Sequence, residues 1–183
     1  MRETRKLIVV DFDNTLFFTN RTSFLASKEL FNIGLTHADI RKLPEDVRRS
    51  IYHLAATKYG EHSRPNKELH ERLAGSRNAN VMILTARHNS SDEHTMRLLK
   101  KHGVRIKRLR SRNSSEMGID DGEWKGKVVS RIAGRYGEVD VYEDKLANIK
   151  RMMKAIHSKK AKVAFYLVRP RTIRRIDADA PPF

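Results

Sequence analysis

The chain has 183 residues, enough for one α/β domain with a small insertion. It carries 38 Lys and Arg against 22 Asp and Glu, a net charge of +16, so its expected partners are polyanions such as RNA, DNA or phosphorylated substrates. The absence of cysteine excludes disulfides and thiolate chemistry, 39% hydrophobic residues speak against a disordered chain, and no apolar run reaches membrane-span length.

The sequence enters its first strand, over 6–12, within a few residues. No signal or transit peptide is therefore expected, and a soluble cytoplasmic protein is the expectation. Residues 20–60 read as helical. Phe24, Leu25, Leu30, Phe31 and Ile33 suggest the apolar face of one amphipathic helix ending near Gly34, and a short helix starts at Thr36 or His37. Pro44 opens a third helix, with Val47, Ile51, Leu54 and Ala55 at helical spacing. Ser63 to Asn66 forms a turn that caps a helix carrying Leu69 and Leu73. Val81 to Thr85 is a second buried strand, followed by a helix over 92–102 that ends at Gly103. Val104, Ile106 and Leu109 alternate with basic residues and predict a third strand. A polar loop over 113–122 leads to a helix over 122–136, a strand over 139–142, a helix over 144–157 and a last strand over 163–168; an irregular tail is expected after Pro170.

Alternating strands and helices imply an α/β fold: a three-layer, Rossmann-like parallel sheet with helices on both faces. The stretch 19–64 is too long for a simple crossover and reads as a helical cap inserted after the first strand. The expected core is about 1–18 and 65–170, with 171–183 a basic, then acidic and proline-ended tail.

Ligands of such sheets bind at the carboxyl ends of the strands, and four stretches put reactive chemistry there. Asp11 and Asp13 follow the first apolar strand two residues apart, on one side of the chain, with turn-prone Asn14 and Thr15 behind them. Two crowded carboxylates need a cation or a shared proton, which points to a metal-assisted site with a nucleophile and a proton carrier. Thr85 and Arg87 follow the second strand and suit a phosphoryl group, Arg87 as a bidentate donor. Lys125 and Lys127 sit near a helix start, where the dipole disfavours cations unless an anionic site compensates. Asp144 ends a later strand, with Asn148 one helical turn on; Asp144 suits Mg²⁺ opposite Asp11, and Asn148 suits either the metal's water shell or the orientation of Asp144.

In this order, Asp11-Phe-Asp-Asn-Thr, Thr85, Lys125, and Glu143-Asp144 with Asn148 resemble motifs I to IV of the haloacid dehalogenase (HAD) superfamily, over roughly residues 6–168. Thr-Ala-Arg87, Trp124-Lys125 and Tyr-Glu-Asp-Lys145 are similar, more narrowly, to phosphatase-like domains of polynucleotide kinase-phosphatases and Swiss-Army-knife RNA-repair proteins, where arginine often stands in place of Lys145. The resemblance implies a Mg²⁺-dependent phosphatase. Asp11 would attack phosphorus, Asp13 would move protons, and Asn14, Thr85, Arg87 and Lys125, or Lys127 in its stead, would hold the phosphoryl group. Mg²⁺ would bind between Asp11, the backbone carbonyl of Asp13 and Asp144, with Asn148 beside it.

From Thr95 through Arg112 there are eight Lys or Arg, Arg112 included, and no acid. Arg105, Lys107, Arg108 and Arg110 there, with Lys159, Lys160, Arg171, Arg174 and Arg175 further on, suggest a nucleic-acid backbone track with little base stacking. The competing reading is a non-catalytic basic protein of the same fold bound to RNA in a ribonucleoprotein particle.

Overall fold

A computed structural model describes residues 6–156 and 161–177. In chain order the main elements are β1 (Lys6–Val10), β2 (Phe17–Phe18), α1 (Asn20–Phe31), α2 (His37–Ile40), α3 (Glu45–Thr57), β3 (Arg64–Pro65), α4 (Lys67–Gly75), β4 (Ala79–His88), α5 (Asp92–Lys101), β5 (Arg108–Arg112), α6 (Asp121–Ala133), β6 (Glu138–Glu143), α7 (Leu146–Ala155), β7 (Lys162–Arg169) and β8 (Thr172–Ile176).

The main sheet has the order β5-β4-β1-β6-β7-β8, parallel except for β8, which pairs antiparallel with β7. Alternation along the strands sends side chains to two faces. Leu7, Val9, Val139 and Val141 pack with Trp124 and Val129 of α6 and Ile149 and Met152 of α7. Ile8, Val10, Val81 and Ile83 pack with Leu69 of α4 and Leu98 and Leu99 of α5. Each such fully buried aliphatic side chain stabilises by about 1.5–3 kcal/mol, so the two faces hold the three layers together.

The chain leaves β1 toward β4 on one side and returns from β5 to β6 on the other. This reversal opens a crevice at the carboxyl ends of β4, β1 and β6. Val10 is level with Ile83 and Tyr142, so the residues just beyond these three strands meet there. The segment with α1, α2 and α3 leaves and returns through a two-residue antiparallel ladder, Phe17 with Pro65 and Phe18 with Arg64, and has its own small core of Ala26, Ile40, Ile51 and Ala55. Thr36 caps α2 with a reciprocal Asp39 contact, and Asn66 caps α4 through the Leu69 N–H.

Three sequence expectations are corrected. The face of α1 marked by Phe24, Leu30 and Phe31 is largely exposed, as is Ile33 at 61%; the helix instead buries Thr22, Ser23, Ala26 and Ser27. Small side chains suit the close packing of α1 on α3, and two of the hydroxyls are satisfied locally: Thr22 donates to the Thr19 carbonyl, and Ser27 donates to the Phe24 carbonyl while accepting from the Leu35 N–H. The third strand of the main sheet begins only at Arg108. Val104 and Ile106 pack on the core from the connection before it, so their alternation reports burial without a continuous ladder. After Pro170, Thr172–Ile176 is a strand: Ile173 and Ile176, three residues apart, reach the two different core clusters, and Arg174 and Arg175 between them suit a sheet edge.

The basic residues divide between opposite edges of the sheet. Arg105, Lys107 and Arg108 are exposed beside or on β5, whereas Arg171, Arg174 and Arg175 lie in or beside β8. The strand order therefore separates the two groups rather than joining them in one track. Arg110 is half-buried and paired with Glu116. Lys159 and Lys160 lie outside the described residues.

Candidate active site

Asp11 leaves β1 with its backbone N–H donating to the Tyr142 carbonyl at 3.0 Å, which fixes the β1 end against β6. Its side chain is buried. One carboxylate oxygen accepts from the Thr15 hydroxyl at 3.0 Å and the other from Lys125 Nζ at 2.7 Å. The turn that permits this contains Asn14 at φ 58°, a left-handed conformation that asparagine tolerates. Asn14 Oδ1 accepts from the Thr19 N–H, tying the turn to the start of α1.

Lys125 reaches Asp11 from α6 and bridges to Glu143 Oε2 at 2.6 Å. It is buried because α6 and α7 approach closely at Gly122 and Gly126. A Cβ on Gly122 would lie 2.8 Å from the Asn148 Cα, and one on Gly126 would lie 2.7 Å from the Ala155 Cβ. Asn148 donates to Glu143 Oε1 at 3.1 Å, so it orients Glu143. Carboxylate oxygens of Asp11, Glu143 and Asp144 lie within 4.8 Å of one another. Asp13 is gripped by Arg87 in a bidentate pair, Nε to Oδ2 at 2.8 Å and Nη2 to Oδ1 at 2.7 Å. Arg87 reaches it from the irregular end of β4, where the register with β5 shifts between Leu84 and His88.

Burial, then the Glu143 carboxylate, pushes Asp11 up to about 7 against the pull of Lys125. Burial, then Asp11 and Glu143, pushes Asp144 up to about 8. Burial acts the other way on Lys125, but Asp11 and Glu143 outweigh it and hold the ammonium charged. Burial also opposes the charges of Glu143 and Asp13; Lys125 nevertheless holds Glu143 below its ordinary value, and Arg87 does the same for Asp13. Asp11, Glu143 and Asp144 together face one ammonium, Lys125. Fully ionised, they leave two negative charges, the charge a divalent cation neutralises. Hard oxygen donors fit Mg²⁺, and Asp11 and Asp144 would hold it: each Asp11 oxygen keeps a lone pair beyond its bond to Thr15 or Lys125, whereas Glu143 is committed to Lys125, Asn148 and the Lys145 N–H.

A cavity of about 520 Å³ opens over this cluster. Asp11, Asp13, Asn14, Arg87, Lys125 and Asp144 all line it. Thr85 does not: it is buried, and its hydroxyl accepts from the Arg87 N–H at 3.2 Å. Lys127 points elsewhere, exposed and paired with Glu123. Sequence reasoning assigned no role of their own to Glu143 and Thr15, although both sit in the motif strings. It placed Arg112 in the basic group leading out of the third strand near the site but gave it no role of its own, and it missed the cavity-facing residues Arg48, Arg49, His37 and Tyr52 of the helical segment, which carry no local signal of convergence.

No protein-family model matches the sequence, and no curated protein is significantly similar to it. Solved structures do share its fold. CbbY of Rhodobacter sphaeroides, solved with phosphate, is 15% identical, with 94% of this chain and 91% of that one covered at a TM-score of 0.60. A HAD-superfamily hydrolase of subfamily IA from Geobacter sulfurreducens is 14% identical, with 88% and 85% covered at 0.53. A chain of the Pnkp1/Rnl/Hen1 RNA-repair complex is 18% identical at 0.56; the match covers 92% of this chain but only 47% of that one, so this chain spans about half its length. The fold is thus that of the HAD-like hydrolases.

Proposed function

We propose that this chain is a Mg²⁺-dependent phosphomonoester hydrolase that works through an aspartyl-phosphate. The observation that carries the reading is the meeting of buried Asp11, Lys125 and Glu143 with half-buried Asp144 in one cluster beneath an open cavity. A purely structural role does not call for a substrate-sized opening over carboxylates held this close.

Asp11 attacks phosphorus through a carboxylate oxygen, and the bond from phosphorus to the ester oxygen breaks. The leaving oxygen takes a proton from Asp13. Water then attacks the aspartyl-phosphate, Asp13 takes a proton from it, and the bond between phosphorus and Asp11 breaks. Lys125 positions Asp11 and offsets charge developing on the phosphoryl oxygens. Thr15 holds the other Asp11 oxygen. Bound Mg²⁺, held by Asp11 and Asp144, would supply neutralisation of the phosphate's charge. Arg87 keeps Asp13 ionised before substrate arrives; an incoming phosphate competes for the guanidinium and lets Asp13 accept a proton.

The substrate class favoured is a phosphorylated nucleic-acid end. The net charge of +16 and the fold shared with a chain of an RNA-repair complex support it. The test is phosphate release from an aryl phosphate and from oligonucleotides phosphorylated at either end, with Mg²⁺ or with EDTA. Release that needs Mg²⁺ and disappears in Asp11→Asn is expected. Equal slow release by both proteins would sink the hydrolase, and tight, salt-sensitive RNA binding beside it would favour the scaffold reading.

A further inference from the structure

Arg112 is the last residue of β5, and its side chain is 4% exposed. It lines the cavity above Asp11 and lies over the Trp124 ring, with its guanidinium carbon 5.0 Å from the ring centroid. Trp124 precedes Lys125 on α6, so Arg112, reaching over from β5, packs on the neighbour of the lysine that holds Asp11. Its nearest carboxylate is Asp121, with Nη2 3.1 Å from Oδ1 but outside hydrogen-bonding geometry. Both Nε and Nη2 are buried and have no hydrogen-bond acceptor among the described residues. Asp121 is itself shared with Lys145, whose Nζ lies 3.8 Å away.

Its neighbour Arg110 shows what a satisfied arginine looks like here. Two residues earlier on the same strand face, it lies over the same indole at 5.3 Å, and it donates to Glu116 and to the Ser111 carbonyl. That guanidinium holds Glu116 down to about 2. The strand thus presents two arginines to one tryptophan, one closed off by protein and one with free donors on the cavity wall. A buried guanidinium stays charged, and leaving its donors unmet is costly unless an anion meets them in use.

We infer that Arg112 recognises a second anionic group of the substrate, a phosphate adjoining the one that reacts at Asp11. This deepens the phosphohydrolase reading and rests on it. The preferred substrates are then esters carrying two phosphates in reach of one another. A nucleoside bisphosphate and a terminally phosphorylated dinucleotide share this chemistry; a lone phosphomonoester lacks it. Planar donors pinned on an indole suit a phosphate's paired oxygens, which a flexible lysine does not match in geometry.

The test measures kcat/KM for adenosine 3′,5′-bisphosphate, for the two adenosine monophosphates and for dinucleotides with a terminal phosphate, in wild type, Arg112→Gln and Arg112→Lys. Wild type should prefer the two-phosphate substrates, and Arg112→Gln should cut that preference by about ten- to a hundred-fold, with Arg112→Lys between them. Loss with the dinucleotides alone assigns the second phosphate to a nucleic-acid end; loss with the bisphosphate alone assigns it to a small molecule. An unchanged preference in a folded Arg112→Gln overturns the inference. Calorimetric titration of the same ligands reads the preference without turnover, so discrimination that depends on Arg112 in a protein releasing no phosphate would refute the hydrolase and not the second anion site. Thermal melts show which variants are folded, and Arg112→Lys serves if Arg112→Gln is not.

Discussion

Replacing Lys125 with methionine removes a buried ammonium and leaves a side chain of similar length. In the native site Nζ lies 2.7 Å from Asp11 and 2.6 Å from Glu143. Two hydrogen bonds to charged groups at about 1.5–3 kcal/mol each bound the loss at about 3–6 kcal/mol, and breaking a buried ion pair typically costs about 3–5. About 4 kcal/mol is therefore expected at pH 8.5 without metal. The loss depends on pH because the two carboxylates titrate in different windows. Lys125 holds Glu143 below its ordinary value, so that contribution is present above the unfolded value and missing from the variant at pH 5.5 as well as at 8.5. Asp11 is pushed up to about 7 even with Lys125 present. Below that pH both proteins keep it protonated, and only above it does the variant bear the additional cost of an unpaired carboxylate. About half the loss, roughly 2 kcal/mol, should remain at pH 5.5. Urea denaturation in EDTA at both pH values measures this directly, and the corresponding drop in Tm at pH 8.5 is roughly 8–16 °C. A loss under about 1 kcal/mol at pH 8.5, or equal losses at the two pH values, would refute the reasoning that Lys125 joins these two carboxylates.

Mg²⁺ should raise Tm more at pH 8 than at pH 5 and should release protons on binding, read by calorimetry in buffers of different ionisation enthalpy. The sign follows from Asp11 near 7 and Asp144 near 8: both are raised, so without metal the fold loses stability as pH rises from about 4 through those values, and a cation that keeps them ionised restores it. Arg87→Ala should raise the pKa of Asp13, moving the limb of the pH–rate profile assigned to it to higher pH; an unmoved profile would remove Asp13 from the proton-transfer role. Gly122→Ala should destabilise by about 1–3 kcal/mol in thermal melts despite alanine's better helix propensity, because its Cβ would meet the Asn148 backbone. Ile33→Ser should change stability by less than about 0.5 kcal/mol, whereas Ser27→Leu should cost about 1–3, since the former is exposed and the latter fully buried.

Much of the scaffold is legible in local pattern. The apolar runs ending at Val10, Leu84 and Tyr142 are buried strands whose neighbours lie on both sides, so their burial is written residue by residue. The first and last are followed by Asp11 and Glu143, which the sheet delivers to the crevice, whereas Thr85 after Leu84 stays buried behind Arg87; the spacing of Asp11 and Asp13 needs no tertiary information to read. Thr36 and Asn66 signal helix starts for the same reason: a cap is made by its own next three residues.

Other features depended on what arrives from elsewhere in the chain. Lys125 and Lys127 are two residues apart on α6, about 200° around the helix, and only the docking of that helix brings the first to Asp11 and turns the second to solvent. The helix α1 offers both an apolar stripe and a stripe of small residues; the close approach of α3 selected the small one, which hydropathy alone would leave in water. The two basic clusters suggest one backbone track in sequence terms, but strand order puts the described residues of each on opposite edges. Arg112 is one of many arginines in the sequence and becomes distinctive only when Trp124 and the cavity wall enclose it. Periodicity and capping are short-range and so survive in a string of letters, whereas the choice between faces, lysines and edges is made by contacts between residues tens of positions apart.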